Sequence, residues 1–397
     1  MFSKINKGIV LPDARCSGCS ACADRCPCDA IEMREDAEGF LQPGIDPDKC
    51  IECELCMVIC PVLAVKPVES LEIGTVYAGW TTDRELLASS TSGGVFSELA
   101  RNVLDQGGVV FGAAYDEHMV VRHVAIESWE DLDRLRGSKY VQSAIGETFS
   151  QARECIEAGR RVLFSGTPCQ IAGLRAAFEG EHDHELLLTC DVVCHGVPSP
   201  KVFRMYIESL EKKYGSRISQ FYFRDKRQSW RQPTIVFETE NGRTKALAPA
   251  DVSYCLSFYK DIDLRPACHS CAAKEGAHNA DITMGDFWGL YEFKPELINP
   301  EGTSVVVVNS EKGKAALDAC GDRLSLTEAG REHLEENNTL RRCVEPHARR
   351  EDFFQDIDKL SYDELAKKYM PPRKAAKRIL ANVRRRFLKI MQNRKES

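Results

Sequence analysis

Two cysteine runs of identical spacing dominate this sequence. Each follows the pattern C-x-x-C-x-x-C-x-x-x-C-P, and the second run begins 34 residues after the first. Three closely spaced thiolates on a tight loop fit three corners of a four-iron cubane, whereas the fourth cysteine begins a helix that points towards the other cluster. This crossed rule predicts one [4Fe-4S] cluster on Cys16, Cys19, Cys22 and Cys60, and a second on Cys50, Cys53, Cys56 and Cys26.

A zinc site and a disulfide framework are the two alternative uses of these cysteines. Zinc sites usually pair two C-x-x-C knuckles, whereas each run here adds a third Cys and a Cys-Pro. The chain has 18 cysteines in 397 residues, which favours metal ligands and free thiols in a reducing cytoplasm, because secreted disulfide-rich domains are much shorter. The runs therefore predict a bacterial two-cluster ferredoxin module that moves single electrons.

The rest of the chain indicates a larger globular protein. The length predicts two or three domains. The composition, 43% hydrophobic and 28% charged, is ordinary for a soluble protein, and no apolar run approaches the length of a membrane span. The first residues lack the apolar core and the cleavage pattern of a signal peptide. We therefore expect a cytoplasmic protein without a nucleic-acid partner.

The charge is distributed unevenly along the chain. The net charge is −7, yet the segment 372–397 carries ten Lys or Arg against one Glu. Its apolar residues recur at helical spacing opposite basic ones, which predicts a basic amphipathic helix that contacts an anionic membrane surface or an acidic partner. The alternative is a solvated helix that packs loosely on the acidic body of the chain. The residues of this pattern are Ile379, Leu380, Val383, Phe387, Ile390 and Met391, opposite Arg384, Arg385 and Lys389.

The hydrophobic pattern divides the chain into segments and predicts an α+β fold. Residues 1–66 form the ferredoxin module, with short strands at 29–33 and 39–43 around an Asp-Ala-Glu-Gly turn. Strands and helices then alternate, which favours an α/β sheet with parallel strands, and Asn241-Gly242 predicts a hairpin that makes the later part mixed. Predicted strands are 76–80, 109–115, 120–126, 161–165, 186–193, 235–239, 243–247 and 304–309, and predicted helices are 93–105, 147–157, 170–178 and 200–214.

Four further cysteines follow strands or stand in a separate C-x-x-C. Cys169 and Cys194 each follow a predicted strand, and ligands in open α/β sheets bind outside the carboxyl ends of strands. Together with Cys268 and Cys271 they predict a third four-iron site. Cys190 competes with Cys194, but at strand rise it lies roughly 13 Å from it. Alternatively, Cys169 is a catalytic thiol or a buried small residue, and only the C-x-x-C binds metal.

The other cysteines have no such neighbours in the sequence. We expect packed thiols at Cys28, Cys155, Cys255, Cys320 and Cys343.

Two polar segments are candidates for cofactor contacts. Ser89-Ser-Thr-Ser-Gly93-Gly94 precedes an apolar helix, and its free amides and hydroxyls suit a phosphate, although an ordinary capped helix has the same pattern. The segment 137–143 offers Lys139, an aromatic ring and polar groups. A flavin needs a cation or donor near its electron-rich pyrimidine edge, which Lys139 would supply. Alone, this segment would be a surface loop.

Seven sequence blocks resemble the coenzyme F420 hydrogenase/dehydrogenase beta subunit family. The resemblance extends from about Thr75 to Asn309. It implies a flavoprotein with FAD and an iron–sulfur cluster in the catalytic domain. We divide that domain into parts at 75–160 and 161–345, followed by a helical basic tail at 346–397 that is not part of the resemblance. The blocks are TSGGVFSELA (91–100), GSKYVQS (137–143), SGTPCQIAGLR (165–175), VCHGVPSPKVF (193–203), FRDK (223–226), LRPACHSC (264–271) and DITMGDFWG (281–289).

The resemblance also implies a flavin site and a reaction class. Electrons would pass between the clusters, FAD and a two-electron acceptor, which in this family is the deazaflavin coenzyme or an unrelated organic substrate. His195 or Asp286 would supply a proton beside the flavin, or each is a structural hydrogen-bonding residue. The implied flavin-site residues are Ser92, Gly93, Gly94, Lys139, Tyr140, Gln142, Ser143 and Thr167.

Two classes of function follow from these expectations. In the first, the chain is an enzyme that takes electrons from ferredoxin or another redox protein and reduces a small molecule. In the second, it is an electron-transfer subunit of a larger redox complex and has no substrate of its own. The ferredoxin module fused in the same chain favours the enzyme, because an internal path replaces a separate electron-transfer subunit.

Overall fold

The computed structural model of this protein shows a mixed α/β domain joined to an N-terminal ferredoxin module. It describes residues 2–5, 9–12, 14–63, 74–180, 184–274, 280–290, 294–330, 334 and 342–371. Its strands are β1 (Phe2–Ile5), β2 (Ile9–Pro12), β3 (Ile31–Glu35), β4 (Leu41–Ile45), β5 (Thr75–Thr81), β6 (Val109–Tyr115), β7 (Val121–Ile126), β8 (Val162–Gly166), β9 (Leu187–Val192), β10 (Ile218–Asp225), β11 (Thr234–Thr239), β12 (Thr244–Leu247), β13 (Ile282–Asp286), β14 (Ser304–Val308) and β15 (Leu324–Ala329).

The longest described helix begins and ends at capping residues. Ser199 accepts the Val202 N–H before Pro200 starts the longest described helix, and Gly215 ends it in the left-handed region. The α-helices are α1 (Ala21–Asp24), α2 (Leu55–Val58), α3 (Arg84–Ser89), α4 (Val95–Leu104), α5 (Leu132–Leu135), α6 (Thr148–Glu157), α7 (Pro168–Ala177), α8 (Pro200–Tyr214), α9 (Ser253–Tyr259), α10 (Glu311–Asp318), α11 (Arg350–Asp356) and α12 (Tyr362–Tyr369).

Eight strands form the central sheet, in the order β15-β5-β14-β13-β9-β8-β6-β7. The four neighbours β13, β9, β8 and β6 are mutually parallel, and the strands that flank them are antiparallel. The predicted strands and helices of this domain lie within a few residues of observed ones. The strands β10, β13 and β15 and the helices α3, α5, α9 and α10 were not predicted. The carboxyl ends of β5, β8, β9 and β13 meet at one edge of the sheet, which we call the ligand edge.

Alternate side chains of the strands point to two separate cores. On β6, Val109 and Phe111 face α6 and α7, whereas Val110 faces α4, α5 and α10. The first core also contains Cys19 and Ala21 of the ferredoxin module. The module therefore completes a core of the α/β domain.

A second sheet, β10-β11-β12, covers α8 and forms a third core with the C-terminal helices. This sheet contains the predicted Asn-Gly hairpin. Phe353 of α11 and Leu365 of α12 are fully buried in that core, so residues 350–369 are part of the folded domain. The predicted basic helix at 372–397 lies outside the described residues. No described helix is long and apolar enough to cross a membrane.

The ferredoxin hairpin starts two residues later than predicted. The strands are Ile31–Glu35 and Leu41–Ile45, because the Asp36 carboxylate accepts the N–H groups of Glu38 and Phe40 and extends the turn. This turn docks on the α/β domain. The Ser199 hydroxyl donates to the carbonyl of Glu38 at 2.5 Å, and Arg350 pairs with the Glu38 carboxylate.

Candidate functional site

The two cysteine runs of the ferredoxin module lie in the crossed arrangement. Left-handed backbone at Gly18 and Ser20 curls the first loop, and Glu52 and Glu54 repeat this conformation in the second loop. One small cavity is lined by Cys16, Cys19, Cys22 and Cys60, and also by Cys56. Another is lined by Cys26, Cys50, Cys53 and Cys56, and also by Cys28. Each cavity thus gathers three thiols of one run and the fourth of the other.

The two thiol sets differ in their exposure to solvent. Cys16 and Cys19 are each 9% exposed, whereas Cys53 is exposed and its neighbour Ile51 is 64% exposed. Burial raises the pKa of Cys19 to about 12, and the neighbouring Cys16, Cys60 and Cys169 thiols add to the rise. Iron must displace these protons on binding. The second set therefore faces the outside, and the first faces the α/β domain.

The ligand edge brings the four other predicted cysteines together. Cys169 lies in the first turn of α7 and Cys194 follows β9, while Cys268 belongs to the 3₁₀ turn Pro266–Ser270 that leads into Cys271. The Val197 N–H donates to the sulfur of Cys268 at 3.4 Å. The chain therefore reaches this site from three separate loops.

The thiols of this third site influence one another. Burial raises the pKa of Cys194, and Cys268, Cys169 and Cys271 add to it. Burial also raises the pKa of Cys268 to about 12 and that of Cys271 to about 11, each with a contribution from Cys169. Among the described residues, no three His, Cys, Asp or Glu side chains are arranged to hold a single metal ion, and this includes the four thiols. The interpretation as a cluster site therefore depends on the loops that bring the thiols to one place and on their mutual effect on the pKa values.

Two other cysteines near this edge have different surroundings. Cys190 lies within β9, and its pKa is raised by burial and by the acids Asp191 and Asp281, not by the third-site thiols. Cys343, which the sequence placed among the packed thiols, accepts the backbone N–H of Cys271 at 3.1 Å. That contact joins positions 72 residues apart, and no spacing rule predicts it.

The third site lies against the first ferredoxin loop. A cavity of about 690 Å³ is lined by Cys169, Cys268 and Cys271 together with Ser17 and Pro61 of the module. Helix α7, which begins one residue before Cys169, approaches the module at Gly173, where an added Cβ would lie 2.6 Å from the Cβ of Cys19. Only glycine permits this approach.

The flavin-site candidates at 92–94 also lie at the ligand edge. The Gly93 N–H donates to the Ser304 hydroxyl at 2.9 Å, and Gly94 has the left-handed φ of 79° before α4. The ammonium of Lys226 donates to the carbonyls of Ser92 and Glu301. Burial lowers the pKa of Lys226 to about 8. This loop therefore combines a helix start with a cation that the sequence analysis did not single out.

A buried guanidinium lies beside that loop. Arg224 pairs with Asp286 at 3.0 Å and is 10% exposed, yet its Nε and NH2 atoms have no hydrogen-bond partner among the described residues. Its guanidinium lies 5.1 Å from the Trp288 ring, which stacks on Trp230. Burial raises the pKa of Tyr140, and the positive charge of the nearby Arg224 opposes that rise. Unpaired buried donors beside aromatic rings suit an anionic, planar ligand.

The remaining flavin-site candidates belong to other contacts. Gln142 donates to the carbonyl of Ser17 at 2.8 Å and thus contacts the ferredoxin module. Ser143 bonds to Gln170, which also binds Thr167 in the capping box of α7. Lys139 donates to two backbone carbonyls, and burial lowers its pKa to about 7. Seven of the eight candidates therefore divide between the Arg224 region and the third-site region, and Lys139 belongs to neither.

The two predicted proton donors are both engaged in hydrogen bonds. Asp286 accepts from Trp230 at 2.8 Å and pairs with Arg224, so both carboxylate oxygens have partners. His195 lies 2.5 Å from Asp261, whose φ of 57° is left-handed. The contacts of Asp286 favour the structural alternative, and the side chain of His195, which is 33% exposed, is the more accessible of the two.

Comparison with known proteins identifies the family of both parts of the chain. The family described as coenzyme F420 hydrogenase/dehydrogenase, beta subunit, matches with its N-terminal profile at residues 76–149 and its C-terminal profile at 159–332. A 4Fe-4S dicluster domain matches residues 15–64. The chain belongs to this beta subunit family, with a fused ferredoxin domain. The predicted iron–sulfur and oxidoreductase character is therefore confirmed.

Individual relatives match shorter parts of the chain. An uncharacterized polyferredoxin-like protein of Methanocaldococcus jannaschii is 33% identical over 86 residues, 19% of this chain and 50% of that protein. A seven-iron ferredoxin of Hydrogenibacillus schlegelii is 44% identical over 46 residues, 12% of this chain and 53% of the other. The chain thus spans about half the length of these curated relatives.

One solved structure matches more of the chain. It is a xenon derivative of the F420-reducing [NiFe] hydrogenase complex from Methanosarcina barkeri, and the match has 19% sequence identity and a TM-score of 0.47. It covers 76% of this chain and 92% of that one.

Proposed function

We propose that this chain is an iron–sulfur flavoprotein oxidoreductase with three four-iron clusters and one FAD. Electrons enter at the second ferredoxin cluster, pass through the first cluster and the third site, and reach the flavin and a small-molecule acceptor. The observation that carries the proposal is the contact between the first ferredoxin loop and the third-site loops, which share the cavity of about 690 Å³.

The entry point follows from exposure. Cys53 is exposed and its neighbour Ile51 presents an apolar side chain to solvent, which suits docking of ferredoxin or another redox protein. The first set is buried at the domain junction. This gradient orders the two ferredoxin clusters along one path.

The residues present fit an FAD near Arg224. A diphosphate would find the start of α4, the Gly93 and Gly94 backbone, and the unpaired donors of Arg224. Bound FAD exchanges single electrons with clusters and pairs of electrons with a substrate. Asp286 holds Arg224 and Trp230 in place for that contact, and His195 is available to hold a proton.

An electron-transfer subunit without its own substrate is the second candidate. Tyr259 and Trp288 are 57% and 37% exposed beside Arg224, so this side of the site is open enough for a partner protein. A screen of small acceptors separates the two candidates. Flavin reoxidation by one of them, including the deazaflavin coenzyme, supports the enzyme, whereas reoxidation only by a redox protein supports the subunit.

The cofactor content of the full chain tests the proposal. Anaerobically purified protein should release FAD on extraction and contain about twelve irons, against about eight for a ferredoxin domain alone. The double variant Cys268→Ser, Cys271→Ser should fall to about eight irons. Cys255→Ser is the matched control, because that thiol is 3% exposed in the third core and should leave the iron content unchanged. Protein that retains its clusters but contains no flavin contradicts the proposal.

A further inference from the structure

The junction between the ferredoxin module and the α/β domain contains one fully buried guanidinium. Arg265 is 1% exposed. Its Nε donates to the carbonyl of Cys16 at 2.6 Å, NH2 donates to the carbonyl of Leu41 at 2.8 Å, and NH1 donates to Oε1 of Gln142 at 2.9 Å. All three acceptors are neutral oxygen atoms.

A buried charge normally requires a counter-ion. Two other arginines at this junction follow that rule, since Arg350 pairs with Glu38 and Arg153 pairs with Asp24 at 3.0 Å. Arg265 has no carboxylate partner among the described residues. Its hydrogen bonds satisfy its donors, but they do not balance its charge.

Arg265 contacts the chain beside both cluster sites. Its side chain donates a hydrogen bond to the backbone carbonyl of Cys16, whose thiol is a predicted ligand of the first cluster. Its backbone N–H donates to Val197 at 3.0 Å, and its carbonyl accepts the N–H of Cys268 at 2.9 Å. Burial raises the pKa of the Cys169 thiol, and the positive charge of Arg265 opposes that rise.

We propose that Arg265 is a positioning residue whose charge is balanced by the clusters on either side of it. A cubane held by four thiolates is anionic and gains one further negative charge when it accepts one electron, with no bond made or broken. A cation in the low-dielectric junction therefore favours the reduced state of the first and third clusters. This inference rests on the proposed third cluster for one of its two sides.

Two variants remove the same net charge in different ways. Arg265→Gln deletes the guanidinium. Gln142→Glu places a carboxylate on NH1 of Arg265 without changing the size of the side chain, and it also removes the amide donor to the Ser17 carbonyl. In anaerobic redox titrations followed by electron paramagnetic resonance, both variants should lower the reduction potentials of the first and third clusters by at least 59 mV. For a one-electron couple, 59 mV is a tenfold change in the equilibrium constant for reduction. The second cluster, which Arg265 does not contact in the described residues, should move less.

Two further variants separate charge from packing. Arg265→Lys keeps the positive charge but loses the planar set of guanidinium donors. The reduction potentials of the first and third clusters should therefore change by less than 59 mV. Arg204→Gln removes an exposed ion pair of 2.7 Å with Glu35 across the same junction, and it should leave all potentials unchanged. A fall with Arg265→Lys as large as with Arg265→Gln overturns the inference.

The outcome is independent of whether the proposed function holds. If Arg265→Gln does not retain its clusters, the comparison of Gln142→Glu with Arg265→Lys still sets a variant that lowers the net charge against one that keeps it. If the chain contains only about eight irons, the third cluster is absent, and the potential of the first cluster still tests the charge of Arg265. Unchanged potentials of the first cluster in Gln142→Glu and Arg265→Gln contradict the inference.

Discussion

Protonation of His123 should weaken the fold below neutral pH. This histidine lies on β7, is 5% exposed and stacks on Phe164 at 5.4 Å. Its Nε2 lies 2.9 Å from the carbonyl of Ser165 and its Nδ1 lies 3.0 Å from the Ser143 hydroxyl. Because a carbonyl only accepts, the ring is neutral with its proton on Nε2, and Ser143 donates to Nδ1.

The size of the effect follows from the pKa of this ring. Burial lowers the pKa of His123 from 6.5 to about 4; the hydrogen bond to Ser165 opposes the change and Lys139 adds to it. The unfolded chain therefore binds the proton more readily than the folded chain. The stabilising contribution is complete above pH 6.5 and is lost as the pH falls towards 4. Between pH 7.5 and 5.5 the free energy of unfolding should decrease by about 1.4 kcal/mol from this group.

The assay compares wild type with His123→Gln in anaerobic urea unfolding at both pH values. With a slope of about 2 kcal/mol/M, the wild-type midpoint should lose roughly 0.7 M more than that of the variant between pH 7.5 and 5.5. At pH 7.5 the variant itself should be less stable by about 1–3 kcal/mol, because it loses a buried hydrogen-bonded ring. Groups that titrate equally in both proteins cancel from the difference.

The control for this experiment is His118→Gln, since the side chain of His118 is 67% exposed. That variant should follow wild type at both pH values. An equal loss of stability in wild type and His123→Gln would refute the reasoning.

Three further predictions concern the flavin region, the third site and the C-terminal segment. Arg224→Gln should lower the FAD-to-protein ratio of the purified chain, whereas Arg227→Gln, at an exposed neighbour, should not. Cys194→Ser should reduce the iron content from about twelve to about eight, and Cys190→Ser should not; the reverse result would assign the fourth ligand to Cys190. Deletion after Pro371 should leave dye reduction intact and weaken binding to anionic vesicles, at about 1 kcal/mol per basic residue near the surface; equal binding by both proteins would argue against membrane contact.

The sequence predicted what depends on local spacing. The crossed ferredoxin loops follow from cysteines three and four residues apart, and the positions of Cys169 and Cys194 follow from strands that end just before them. Parallel strands place such positions at one edge, so their proximity to each other could be expected. The strand β13 does not alternate between buried and exposed residues, since Ile282, Thr283 and Met284 are all buried, and it therefore lacks the usual strand pattern.

The contacts that depend on the folded chain could not be predicted in this way. Arg265 reaches a carbonyl 249 positions away, and the ion pair of Arg224 with Asp286 joins the small sheet to the central one. Both arginines stand in quoted blocks, FRDK and LRPACHSC, but nothing in those blocks says that either side chain is buried. The contact of Gln142 with the ferredoxin module also depends on the folded chain. The sequence analysis expected Gln142 in the flavin site.

The glycine contact between α7 and the first ferredoxin loop also bears on how this protein matures. Cys19 lies in one core with Phe164 and Leu174 of the α/β domain, and Gly173 lets their backbones meet. Because metal binding and folding are coupled in small metal-binding modules, this core would be completed as the loop closes around its cluster. Iron supply would then limit the yield of folded chain as well as its activity, and chains made during iron starvation would be exposed to proteolysis.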